Sequence, residues 1–144
     1  MKNPYLLSFT LMFFISAIVV STHVYSQSKP KGMVKIKVEP PEDFSVFYDR
    51  FHADSAFQMS RIRDPLLGMK VKEGQEILWS SESWELLNTK VQDLDPSIFK
   101  TKTKLKKKFF EQEVWRESPD YYAAHKFELH GNKWYLVFAY QESF

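Results

Sequence analysis

A chain with no cysteine must look first to histidine for acid–base or metal chemistry. Beyond position 27 this sequence keeps His52, His125 and His130. Asp49 and Asp54 flank His52, and a carboxylate beside an imidazole is the simplest form of a general base. The ordinary reading of that cluster is a solvated helix end, where histidine and capping carboxylates are favoured anyway. It is preferred because no other member of a catalytic set lies nearby. No His-x-His or His-x-x-x-His pair exists, so no metal and no other cofactor is expected. Only four glycines are present. That excludes a Gly-x-Ser-x-Gly elbow, a dinucleotide fingerprint and a P-loop. The lack of cysteine excludes disulfides, thiolate catalysis, Cys-bound zinc and a lipid-anchored N-terminal cysteine.

Two further groups could bind without reacting. Lys100, Lys102, Lys104 and Lys106 alternate with Thr101, Thr103 and Leu105, and Lys107 and Lys108 follow. A strand would set the first four on one face as a comb. Such a comb could dock an anionic glycan, a lipid head group or an acidic partner. It could equally guard an edge strand against pairing with other sheets, and that reading is preferred. Trp79, Trp84, Trp115 and Trp134 could stack on sugar rings or line an apolar pocket. Trp134 is assigned to the core with Phe138, and Trp84 and Trp115 to more exposed places. The candidate ligand site is His125 beside Tyr122 or Tyr140, with Trp84; the candidate anion dock is Lys100, Lys102, Lys104 and Lys106. A net charge of +2 offers no general attraction for nucleic acid.

The elements that must position these residues follow from periodicity. Pro40-Pro41-Glu42-Asp43 reads as a helix start, with both acids at the positive end of the dipole. Phe44, Phe47, Tyr48 and Phe51 then form one apolar helical stripe. Ser55-Ala56-Phe57-Gln58 has the spacing of a capping box and starts a second short helix. Leu66–Lys72 and Gln75–Trp79 read as strands around Gly74. Ser83–Leu87 is open between strand and turn, and Asn88–Pro96 reads as loop. Lys100–Glu113 reads as one long extended stretch that Ser118-Pro119-Asp120 breaks. Ala123–Leu129 and Lys133–Tyr140 flank Gly131-Asn132 as a hairpin. Its last strand points Trp134, Leu136, Phe138 and Tyr140 one way and carries apolar residues on the other side too, as a strand covered on both faces does. Phe47, Phe51, Phe57, Trp134, Leu136 and Phe138 are expected to share one core. The layout is one α+β domain over 41–144, helices first and an antiparallel sheet after.

Phe44, Phe47, Phe51, Asp54, Phe57-Gln58, Arg61-Ile62 and Pro65-Leu66 follow a spacing that resembles a family of secreted bacterial proteins. That family is catalogued as a domain of unknown function (number 4348). Phe127-x-Leu129-x-x-Gly131-x-x-Trp134-Tyr135-Leu136 is similar to the closing hairpin of NTF2-like domains. The resemblance implies an NTF2-like cone, with helices in the concavity of a curved antiparallel sheet. It implies no activity and carries over no catalytic residue. The function expected is that of a non-catalytic binding or interaction module, its partner a small hydrophobic ligand or an anionic envelope component. The alternative is a pocket enzyme with an ionisable group inside the cone.

Residues 1–26 read as a signal peptide. Lys2 supplies the positive start, Leu6–Val20 the apolar run, and Val24-Tyr25-Ser26 the cleavage site. The run is short for a membrane span. Residues 27–40 (QSKPKGMVKIKVEP) read as a flexible tether, with a weak strand at Met33–Val38, so the protein is expected to be exported to the periplasm or beyond. The intact mass of the exported protein should correspond to a chain starting at Gln27. Retention of residues 1–26 in a membrane fraction would show that the leader is not removed.

Overall fold

The computed structural model describes residues 39–118 and 120–143. The expected signal peptide, the strand at Met33–Val38, Pro119 and the tether apart from Glu39 and Pro40 lie outside the described residues. Two helices come first, α1 (Phe44–Ala53) and α2 (Ser55–Ser60). Asp43 caps α1: its carboxylate accepts from the backbone N–H of Ser45 at 2.9 Å and of Val46 at 3.1 Å. Those bonds hold its carboxyl below the ordinary aspartate value. Asp54 ends α1 and caps α2, accepting from Phe57 N–H at 2.9 Å. Ser55 is therefore the first residue of α2 rather than its cap, and the expected Ser-x-x-Gln box does not form.

Seven strands follow: β1 (Ile62–Leu67), β2 (Met69–Lys72), β3 (Gln75–Leu78), β4 (Phe99–Leu105), β5 (Phe109–Arg116), β6 (Tyr121–His130) and β7 (Lys133–Ser143). A single 3-10 turn at Val91–Asp93 interrupts the loop before β4. The sheet runs β3-β2-β7-β6-β5-β4, with β1 also on β7. Both β1 and β2 lie parallel to β7. The sheet is thus mixed and curved, where the sequence suggested a purely antiparallel one. The stretch 100–113 is a hairpin and not one extended segment. Lys106 N–H donates to the Phe109 carbonyl at 2.8 Å and closes the turn through Lys106-Lys107-Lys108.

The inward faces of α1, α2 and the sheet meet in an aromatic core. Phe47, Tyr48, Phe51, Phe57, Phe110, Val114, Phe127, Trp134 and Leu136 are all buried. Phe138 is the expected core residue that does not belong. Phe127 pairs with Leu136 but Lys126 pairs with Phe138, so Val137 is an extra residue on β7. That bulge flips the alternation. Ala139, fully buried, takes the inward place, and Phe138 and Tyr140 turn to the outer face. The outer face of β7 is half-buried rather than covered.

The start of the domain is tied to the last hairpin. Glu42 receives two bonds from the Arg61 guanidinium, at 2.8 and 3.0 Å. Its carboxylate also accepts from Trp134 N–H at 3.1 Å, and its carbonyl accepts from the Trp134 indole at 3.0 Å. Glu42 thus serves the sheet, not the helix dipole. Arg61 also donates to the Trp134 carbonyl and lies over the Phe57 ring at 4.5 Å.

Gly68 separates β1 from β2 with φ of +93°, and a Cβ there would sit 2.0 Å from the Ala139 carbonyl oxygen. Both the backbone angle and the space demand glycine. Gly68→Ala should therefore cost more than about 3 kcal/mol, well beyond an ordinary surface change. Urea unfolding of the two proteins measures this; a loss under about 1 kcal/mol would show that β2 can back away from β7.

Candidate functional site

A groove lies beside α2 and β1, floored by Met59, Ile62 and Leu66, walled by Trp79 and Trp84, and rimmed by Arg63, Asp64, Ser80 and Ser81. It encloses about 360 Å³, within the range of small-ligand sites. The two indoles meet edge to face, 5.2 Å between centroids and 69° between planes. Both indole N–H groups are already used inside the protein. Trp79 donates to the Ala139 carbonyl at 2.7 Å, and Trp84 donates to the Gln58 side-chain oxygen at 3.0 Å.

Gln58 is what fixes this wall. It is 1% exposed, and all four of its hydrogen-bonding positions are filled. Its amide donates to the Phe51 carbonyl at 2.7 Å and the Leu87 carbonyl at 2.9 Å. Its oxygen accepts from the Trp84 indole and from Leu87 N–H at 2.9 Å. A segment without regular structure, 79–87, is thereby bound to α1 and α2. Lys70 of β2 adds an ion pair to Glu85.

A second polar set lies inside the core. The Tyr48 hydroxyl donates to Gln112 Oε1 at 2.5 Å and accepts from Val91 N–H at 3.4 Å. The Gln112 amide lies 3.2 Å from His125 Nδ1. Because Gln112 uses its oxygen on Tyr48, its NH₂ donates here, and His125 carries its proton on Nε2. His52 Nδ1 is 2.8 Å from the Tyr48 carbonyl. A carbonyl only accepts, so Nδ1 holds the proton, and His52 Nε2 is left buried without a partner. Burial, and then the neighbouring His52, push His125 down to about 4. Burial likewise lowers His52 and raises Tyr48 to about 12. Both imidazoles are neutral fillers of an aromatic interior. The expected solvated helix end at His52 is therefore not what forms: His52 turns inward, Asp49 pairs with Lys90 at 3.0 Å, and Asp54 caps α2.

The sheet does not assemble the ligand site expected from sequence. His125 faces inward, whereas Tyr122 and Tyr140 pack together on the outer face, 6.0 Å between centroids, and donate to Glu113 and Glu142. Trp84 lies in the groove, apart from both. Trp84 and Trp115 are half-buried rather than exposed. Lys100, Lys102 and Lys104 stand on β4, an edge strand, while Lys106 falls in the turn beyond it. Their surroundings are acidic: Lys100 pairs with Glu117 at 3.5 Å and Lys102 with Glu113 at 3.3 Å, and Glu111 lies opposite Lys104. Among the described residues no three His, Asp or Glu side chains are grouped to hold a metal. The sequence reading named Trp79 as able to stack or line a pocket but did not pair it with Trp84 in the candidate ligand site, and it gave Gln58 no part in one. The usable signal was two tryptophans five apart around a serine run, followed by Leu-Leu.

A protein-family model bearing only the descriptor "-like" matches residues 42–144, well over half of the sequence, and the chain belongs to that family. No protein of curated function matches it. A cystatin-like protein from Bacteroides caccae ATCC 43185 superposes with a TM-score of 0.53 at 25% identity, over 72% of this chain and 78% of that one. An NTF2-like protein from Bacteroides fragilis NCTC 9343 gives a TM-score of 0.51 at 20% identity, over 74% of this chain. The match spans 49%, about half, of that second protein. These likenesses show an α+β cone of the NTF2-like and cystatin-like kind.

The buried imidazole has a pH signature. The folded protein keeps His125 neutral down to about pH 4, while the unfolded chain takes up that proton near 6.5. Between those values the unfolded state binds more protons, so stability falls as pH falls through that window. The loss attributable to His125 is on the order of 3 kcal/mol. Denaturant midpoints from pH 7 to pH 4 should drop less in His125→Gln than in the parent. Parallel curves would show that the imidazole is not desolvated.

Proposed function

We propose that this chain is an exported, non-catalytic binding module whose ligand seat is the groove between Trp79 and Trp84. The observation that carries this reading is where the open space lies. Aromatic rings occupy the interior of the cone, and a groove with preset walls lies at its side, more enclosed than the two larger hollows lined by Trp115 and Tyr122 and by Lys126 and Phe138. A wall held by Gln58 through four hydrogen bonds keeps its shape before any ligand arrives, which lowers the entropic cost of binding. An enzymatic reading would need a substrate to reach His52 or His125, and Phe51, Tyr48 and Phe110 pack around that pair. Export is supported by the order of charge, apolar run and small-residue site in residues 1–26. The finer family assignment, to the domain of unknown function numbered 4348, is supported by the Phe44-to-Leu66 spacing.

A fragment screen on the chain from Gln27, read by amide chemical shifts, tests the site. Hits should move the resonances of residues 59–66 and 79–84. Gln58→Leu, which strips the wall of its anchor, should abolish most of them. Hits that instead cluster on His52, Gln112 and His125 would overturn the module reading in favour of an enzyme pocket.

A further inference from the structure

We infer that the groove receives a sugar ring, so that the ligand of this module is a glycan; this rests on the groove being the binding seat. The argument begins with what the tryptophans can still offer. Their N–H groups are spent on Ala139 and Gln58, so each indole presents only its ring. Among the described residues, neither ring is covered by a cation or by any aromatic group except the other indole. Two such surfaces at a steep angle form a corner of electron-rich π faces above an apolar floor. A pyranose has apolar C–H faces that carry partial positive charge, and these suit the negative face of an aromatic ring.

The rim then selects among ligands that could use such a corner. Arg63 and Asp64 are exposed and, among the described residues, make no ion pair with the protein. The hydroxyls of Ser80 and Ser81 give their protons to Ser83 and Glu82 and keep lone pairs to accept with, while the Arg63 guanidinium, its edge free over the Tyr135 ring, donates; donors and acceptors thus share one mouth, and the charges of Arg63 and Asp64 cancel. A purely apolar ligand would displace water from Arg63 and Asp64 and return no hydrogen bond. A simple anion or cation would satisfy one of the pair and be repelled by the other. A ring edged with hydroxyl groups, each donor and acceptor at once, suits both. The volume of about 360 Å³ fits a short segment of glycan rather than a long chain.

An aromatic peptide side chain with its own amide edges is the competing occupant, so the test must separate the two. The chain from Gln27 would be titrated with trimers of β-linked glucose, β-linked N-acetylglucosamine and α-linked mannose, and in parallel with N-acetyl-tryptophanamide and a Phe-Phe dipeptide. Amide shifts and tryptophan emission report the site. At least one trimer should shift residues 79–84, with affinity reduced tenfold or more in Arg63→Ala/Asp64→Ala. If that double variant does not fold, Asp64→Asn serves instead, with a smaller loss. Groove binding of the aromatic compounds but of no trimer would overturn the glycan while leaving the groove as the binding seat. Trimer binding that the rim substitutions leave unchanged would also overturn it. Silence from every probe, together with no fragment hits at the groove, would remove both the glycan and the seat.

Discussion

Phe127 occupies the middle of the concave face, fully buried, with the rings of Phe51, Tyr48, Phe47, Phe110 and Phe44 around it at centroid distances of 5.2 to 6.5 Å. Most of these pairs are tilted or edge-on, the arrangement that aromatic quadrupoles favour. Helices, sheet and hairpin are all held by this one cluster. Its consequence is that aromatic rings fill the concave face of the cone. Polar groups caught inside it, Tyr48, Gln112, His125 and His52, must satisfy one another, and one imidazole nitrogen does not manage it. Chemistry that a hollow cone could host is displaced to the flank, where the segment between β3 and β4 folds back over α2.

That flank depends on one amide. A side-chain glutamine has two donors and two acceptor lone pairs, and Gln58 uses all of them in the interior. Replacing it with an apolar residue would leave two carbonyls, an indole and a backbone N–H unpaired, which is far costlier than the mean worth of a hydrogen bond. The irregular segment 79–87 can therefore carry a shaped surface although it has no helix or ladder of its own. The Ala139 carbonyl plays the matching role for Trp79, and it is within reach because Gly68 has no side chain.

What could be read from the sequence, and what could not, divides along physical lines. The Phe44–Phe51 stripe and the Gly131-Asn132 hairpin were legible because each is a local pattern with one solution. The bulge at Val137 was not, since one inserted residue leaves the alternation looking intact while reversing it. The parallel pairing of β1 and β2 with β7 was equally hidden, because nothing local selects a partner some seventy residues away. Lys106-Lys107-Lys108 concealed a turn, having no glycine, proline or asparagine to announce it. Gln58 was misassigned for a more instructive reason: its spacing from Ser55 does match a capping box, but Asp54 captures the helix end first and frees the amide for longer reach. The candidate site failed on parity: Tyr122, three residues before His125 on β6, faces the other way, and the bulge turns Tyr140 of β7 outward as well.

The position of β7 bears on the order in which the chain can become a protein. It is the last strand in sequence, yet it lies in the interior of the sheet, bonded to β6 on one side and to β1 and β2 on the other. The Glu42–Arg61 pair also closes only onto Trp134. Until residues 133–143 are available, the floor beneath α1 lacks Trp134 and Leu136, and β2 has no neighbour but β3. Such non-local closure makes folding late and slow relative to chain growth. Removing residues 133–143 would therefore part the two halves of the sheet from each other and not merely shorten one edge.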